Sequence, residues 1–164
     1  MHDEVKEKVL GLLRGYPKLQ HEITLLRYQL DHVPEIDGDE MIASMNFSHG
    51  ENRTGASNSG VSNKTQNIAL NYQTELTREN QELRDGLRRN LHELEAQRDE
   101  LLRRIGLLDE RQAAVLRLYY LEKKTWTETA SAIYASERTA QRIRRDAVSE
   151  LCRIYKALKT AKSG

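Results

Sequence analysis

The sequence predicts an all-α chain: an N-terminal helical pair, a long coiled-coil-like helix, and a C-terminal helix-turn-helix built from three short helices. Three observations lead there. Apolar residues recur at spacings of three and four over most of the chain, the signature of one helix face. Leucines stand seven apart at Leu87, Leu94, Leu101 and Leu108. The composition is 38% hydrophobic against 31% charged, with seven Tyr, one Trp and one Phe in 164 residues, which suits an elongated helical protein better than a large α/β core.

Residues 1–45 form the N-terminal helical segment. Val5, Val9, Leu12 and Leu13 line one face until Tyr16-Pro17, where a break is expected; Leu19, Ile23, Leu26 and Leu30 mark a second stripe that Pro34 ends. Neither stripe is self-sufficient in water, so a partner surface is required, in the same chain or in another copy. Glu35, Asp37, Asp39 and Glu40 around Gly38 read as a solvated acidic turn. Residues 46–67 are rich in Asn, Ser and Gly and almost devoid of apolar side chains, so they read as a flexible linker. The glycosylation-type triplets at Asn46, Asn52 and Asn63 are what such a composition yields by chance.

Residues 68–108 read as the long helix. Leu76, Leu83, Leu91 and Ile105 fill the spacings between the leucine sevens, and charged residues occupy the flanks, giving an a/d-like seam. Asn80, Asn90 and Gln97 fall on or beside it, where polar residues restrict register and partner number. Two partners suit the seam: a second copy of the chain, or residues 3–33 folded back as a hairpin. A homo-oligomer is expected, with a dimer favoured.

Charge is unevenly distributed. Residues 1–64 hold 7 Lys and Arg against 10 Asp and Glu, and residues 65–108 hold 7 against 8. Residues 109–164 hold 12 against 7, so a polyanion would dock at the C-terminal end.

In residues 109–164, Asp109-Glu110 opens a first helix whose apolar body includes Ala113, Val115, Leu116, Leu118, Tyr119 and Leu121. Lys123-Lys124 turn the chain. Thr125-Trp126-Thr127-Glu128 is a capping box that starts a second helix, expected to reach about Tyr134. Ser136 is a good N-cap for a third helix from about Glu137 through Leu158. Ala140, Ile143, Ala147, Leu151 and Ile154 share its apolar face, while Arg138, Gln141, Arg142 and Arg145 lie on the other side, starting in the first turn. Such a helix fits the major groove of double-stranded DNA and presents its N-terminal side chains to base edges. Arg pairs with guanine and Gln with adenine, while Thr127, Thr139, Arg144, Lys123 and Lys124 are placed to hold phosphates.

The span Leu108–Ile154 carries Leu-Leu-Asp-Glu-Arg-Gln-Ala-Ala-Val-Leu-Arg-Leu-Tyr-Tyr-Leu, then Trp-Thr-Glu-Thr-Ala, then Ala-Ser-Glu-Arg-Thr-Ala-Gln-Arg-Ile-Arg-Arg-Asp-Ala. It resembles the sigma-70 region 4 type of helix-turn-helix, and within that group the phage late-gene transcriptional regulators of the RinA and ArpU kind. The resemblance covers 47 of the 164 residues, with an architectural likeness upstream. It implies sequence-specific DNA binding near a promoter, an activator's role in transcription regulation, RNA polymerase as a further partner, and the cytoplasm of a bacterial host cell. The chain departs from the family pattern at Thr129, usually a branched apolar residue, at Tyr134, usually a Gly serving a positive φ, and at Ala140, usually Val.

Other chemistry finds little footing. Cys152 stands alone and reads as a small core residue, and His2, His21, His32, His49 and His92 have no metal-ligand spacing. No phosphate loop, nucleophile elbow or carboxylate pair stands out, so neither an enzyme nor a cofactor is expected. No stretch has membrane length, and the N-terminus lacks a signal-peptide pattern. Two competing readings are a phage DNA-packaging subunit of the small-terminase kind, which also joins a helix-turn-helix to oligomerising helices, and a protein-binding helical adaptor.

Overall fold

The computed structural model describes residues 3–34 and 62–161, and all regular structure among them is helical. Helix α1 is Glu4–His32, α2 is Ser62–Ile105 and α3 is Glu110–Leu116, continued by a π-helical turn, Arg117–Leu121. Helix α4, Trp126–Ala132, and helix α5, Glu137–Ala161, complete the chain. The acidic turn at residues 35–40 and positions 46–61 of the expected linker lie outside the described residues.

The long helix ends at Ile105 and α4 at Ala132, short of the expected 108 and 134, and two other boundaries differ by more. The break at Tyr16-Pro17 is absent: α1 is one helix with Pro17 inside it. Proline removes one backbone donor and crowds the preceding turn, but the apolar face runs through it. Val9, Leu13 and Ile23 fall within about 80° at about 100° per residue, and all three are fully buried. Helix α2 begins at Ser62, six residues into the region expected to be linker. Extending an existing helix adds one hydrogen bond per residue without a new nucleus, so polar residues there join at small cost.

The described residues fall into two compact units, one formed by residues 1–25 with 91–164 and the other by 26–90. In the first, Val9 and Leu13 of α1, Leu101 and Ile105 of α2, Leu116 of α3 and Leu151 of α5 belong to one buried cluster. The N-terminal stripe and the C-terminal end of the leucine seam are therefore partnered within the chain here. Gly106 ends α2, where a Cβ would lie 3.2 Å from the Arg103 carbonyl oxygen. Asp3 and Lys156 pair at 3.0 Å, and that ammonium holds the Asp3 carboxyl below its ordinary range. Cys152 is buried in the cluster, and burial pushes its thiol up.

In the second unit, Arg84 Nη1 donates to the Val33 carbonyl oxygen at 2.9 Å, tying α2 to the end of α1. Ile68, Leu70, Tyr72 and Leu83 are exposed there, so the seam is open at Leu83 and closed at Leu101 and Ile105. No helix among the described residues is long and apolar enough to cross a membrane.

Candidate nucleic-acid interface

The C-terminal elements start where the sequence places their caps. Asp109 accepts from the Arg111 amide at 2.9 Å and opens α3. At α4 both halves of the capping box form: the Glu128 amide donates to Thr125 Oγ1 at 3.2 Å, and the Thr125 amide donates to Glu128 Oε2 at 2.8 Å. Those bonds from Thr125 hold the Glu128 carboxyl below its ordinary value. Ser136 Oγ accepts from the Thr139 amide at 3.2 Å as α5 begins.

Between α4 and α5, Tyr134 takes φ 54°, the left-handed value glycine usually serves, and the residue is 95% exposed. Three bonds fix the connection around it. The Tyr134 and Ala135 amides donate to Ser131 and Ala130 carbonyl oxygens at 3.2 and 2.9 Å, and Arg111 Nη2 donates to the Ile133 carbonyl oxygen at 3.2 Å. Beneath lies a small core of Val115, Ala130, Ile133 and Ala140, with Trp126 and Ile143 against it. Thr129 is fully buried beside them, and its hydroxyl has no hydrogen-bond partner.

Helix α5 sorts its cations onto two sides. At about 100° per residue, Ala140, Ala147 and Leu151 fall within about 40° of one another, and Arg138, Arg142 and Arg145 fall within about 60° on the opposite side. The first three are buried and the three arginines exposed. None of these arginines makes an ion pair among the described residues. They span about 10 Å of helix, close to three base-pair steps. Like charges three and four residues apart repel by a few tenths of a kcal/mol, so an exposed row of three without partners is a cost the fold itself does not need. Gln141 is exposed at the edge of this side.

The other expected contact residues are placed differently. Arg144 lies only about 40° from Ala140 around the helix, half-buried; its Nη1 donates to Tyr120 Oη at 3.3 Å and its guanidinium sits 5.7 Å from the Trp126 ring. It is thus turned away from Arg138, Arg142 and Arg145, because its register on the helix belongs to the packed side. Lys123 and Lys124 are exposed where the π-helical turn gives way to α4, and with Arg144 they line a cleft that Arg14 of α1 completes. Thr127 donates to Glu137 Oε1 at 2.6 Å, so its hydroxyl fastens α4 to α5. Thr139 is half-buried, its hydroxyl bonded to that of Ser136 at 2.9 Å within the cap.

Sequence reasoning missed Arg111 and Arg14. Neither carries a local motif, and both act on residues far along the chain. Among the described residues no three His, Cys, Asp or Glu side chains gather as metal ligands would. Comparison with protein-family models, with curated proteins and with solved structures finds no match to this chain.

Proposed function

We propose that the protein is a sequence-specific regulator of transcription that binds double-stranded DNA through the outward side of α5. The observation that carries this reading is the row Arg138, Arg142 and Arg145, exposed and without ion-pair partners among the described residues, beginning in the first turn of a helix that follows a tightly fastened turn. Planar guanidinium groups projecting from the N-terminal half of a helix suit guanine edges in the major groove, and Gln141 beside them suits adenine. Thr127, Thr139 and Ser136 hold the two helices in register in this account. The resemblance of Leu108–Ile154 to sigma-70 region 4 modules of phage late-gene activators supports a site near a promoter, with RNA polymerase as a neighbour. The open part of the seam around Leu83 supports a dimer of the chain.

A footprint of the purified protein across its source genome tests the reading. Protection at a few promoter-proximal sites is the expected result; no protection at low salt would leave the helical adaptor, and protection beside a packaging gene without a promoter would favour the packaging subunit. On a mapped site, Arg142→Ala should weaken binding by about 1–3 kcal/mol, with the loss confined to one base position in a substitution series. An equal loss on every sequence would reduce Arg142 to a phosphate contact.

A further inference from the structure

The cleft on the inward side of α5 stands apart from that row. Arg144 and Arg142 point about 160° apart around the helix axis. The cleft is lined by Arg14, Tyr119, Tyr120, Lys123, Lys124 and Arg144, four cations and two phenols without a carboxylate, around a volume of about 320 Å³. The Glu128 carboxylate feels the charge of Lys124, but it does not line the cleft, and its Oε2 accepts from both the amide and the hydroxyl of Thr125.

Arg144 is the least expected member. A half-buried guanidinium normally faces a carboxylate, because removing it from water is expensive without one. Here its partners are a neutral phenol and the Trp126 ring, and its Nε is buried without a hydrogen bond. The backbone beside it is also unusual. Tyr119 and Tyr120 lie in the π-helical turn, a form that recurs at functional sites, and Lys123 takes φ 57° although it is exposed. The Lys123 φ also ends the helix, since the Lys124 amide donates back to the Leu118 carbonyl oxygen at 2.9 Å, but the unbonded Nε of Arg144 and the π-helical turn meet at one small space without such a reason.

We infer that this cleft binds a phosphate group, of a phosphorylated small molecule or of a nucleic-acid backbone, held by Arg14, Lys123, Lys124 and Arg144. Arg144 offers fixed guanidinium donors, the lysines bring mobile ammonium groups, and the hydroxyl of Tyr120, which accepts from Arg144, is free to donate its own proton to a ligand oxygen. Collecting the four cations around an anion relieves their mutual repulsion. The inference rests on the cleft's own geometry, so it stands or falls separately from what the outward side of α5 binds.

The chain carries its own reporter. Trp126 is the single tryptophan, stacked on Tyr119 at 4.1 Å and lying under Arg144. Titrating the full chain with pyrophosphate in phosphate-free buffer should give a saturable change in its fluorescence. The apparent affinity should fall at least tenfold in Arg14→Gln and in Lys124→Gln, both exposed positions, be retained in Lys124→Arg, and stay unchanged in Arg142→Gln. A non-saturating response, or an equal loss in Arg142→Gln, would overturn the site. Duplex DNA added to the pyrophosphate complex identifies the natural source. Displacement of pyrophosphate, together with a matching loss of DNA affinity in Lys124→Gln, assigns the phosphate to a DNA backbone; DNA binding untouched by Lys124→Gln assigns it to a free phosphorylated molecule.

Discussion

The two hydrophobic clusters in residues 3–25 and 91–161 are held together by different means. The larger, around Leu13, Leu101, Ile105, Leu116 and Leu151, draws mostly branched aliphatic side chains from four helices, with Ala113, Ala147, Tyr120 and Cys152 among its buried residues. The smaller, beneath the turn from α4 to α5, has two alanines among its four buried residues and a buried threonine alongside. What the second lacks in apolar volume is supplied by polar fasteners: the capping box at Thr125, the Ser136 cap, the Thr127–Glu137 bond and the Arg111–Ile133 bond. A large core tolerates no lost methylene, whereas the small one depends on bonds of about 1 kcal/mol each. The proposed DNA-reading helix thus has its C-terminal half anchored in a firm core and its N-terminal half held by directional bonds. That combination fixes where α5 points while leaving its first turns free of bulk.

Substitutions in each cluster separate the two modes of support. The largest effect should come from the large core: Leu151→Ala, at a fully buried position, should destabilise the protein by about 3 kcal/mol in denaturant unfolding. A loss below about 1 kcal/mol would mean that the cluster is not the anchor. Next, Thr129→Val removes the hydroxyl without a partner at nearly constant volume and should stabilise by about 1–2 kcal/mol. Destabilisation would show that the hydroxyl is satisfied in solution and that the small core is tighter than described. The smallest effect tests the fasteners: Thr125→Ala should cost about 1 kcal/mol. Because Glu128 has its folded pKa lowered by the bonds from Thr125, its contribution is complete above the ordinary glutamate pKa and is lost as pH falls through the lower folded value. Alanine keeps the Thr125 amide bond to Glu128 and removes only the hydroxyl's, so the Thr125→Ala penalty should shrink by part at acid pH, and a penalty independent of pH would remove the hydroxyl–carboxylate bond from the cap.

Legibility in the sequence followed the range of each interaction. Caps act within three residues, so Asp109, Thr125, Glu128 and Ser136 were readable as they stand, and the buried side of α5 followed from the spacing of Ala140, Ala147 and Leu151. The outward position of Arg138, Arg142 and Arg145 followed from the same periodicity. The same wheel places Arg144 beside the core, yet a run of arginines reads as one exposed patch unless each register is followed separately. Pro17 reads as a helix breaker, and only the burial of Leu13 and Ile23 on either side shows why the helix continues. Arg14 joins a cleft made by residues more than a hundred positions away, and nothing local to it announces that. Tyr134 was legible as a departure from glycine, and it adopts the glycine-like φ.

The exposed arginine row of α5 is proposed as the DNA-binding surface. That assignment is tested most directly by the salt dependence of duplex binding for the unmodified protein and for a variant with Arg138, Arg142 and Arg145 all changed to Gln. Each of the three arginines that meets a phosphate should contribute about 0.9 to the slope of log affinity against log salt, up to about 3 for the row, whereas one that meets a base edge lowers affinity and selectivity when lost, without that contribution. The variant should remain folded, bind more weakly, and lose part of the slope, up to that size. Identical affinity and slope in the two proteins would contradict it.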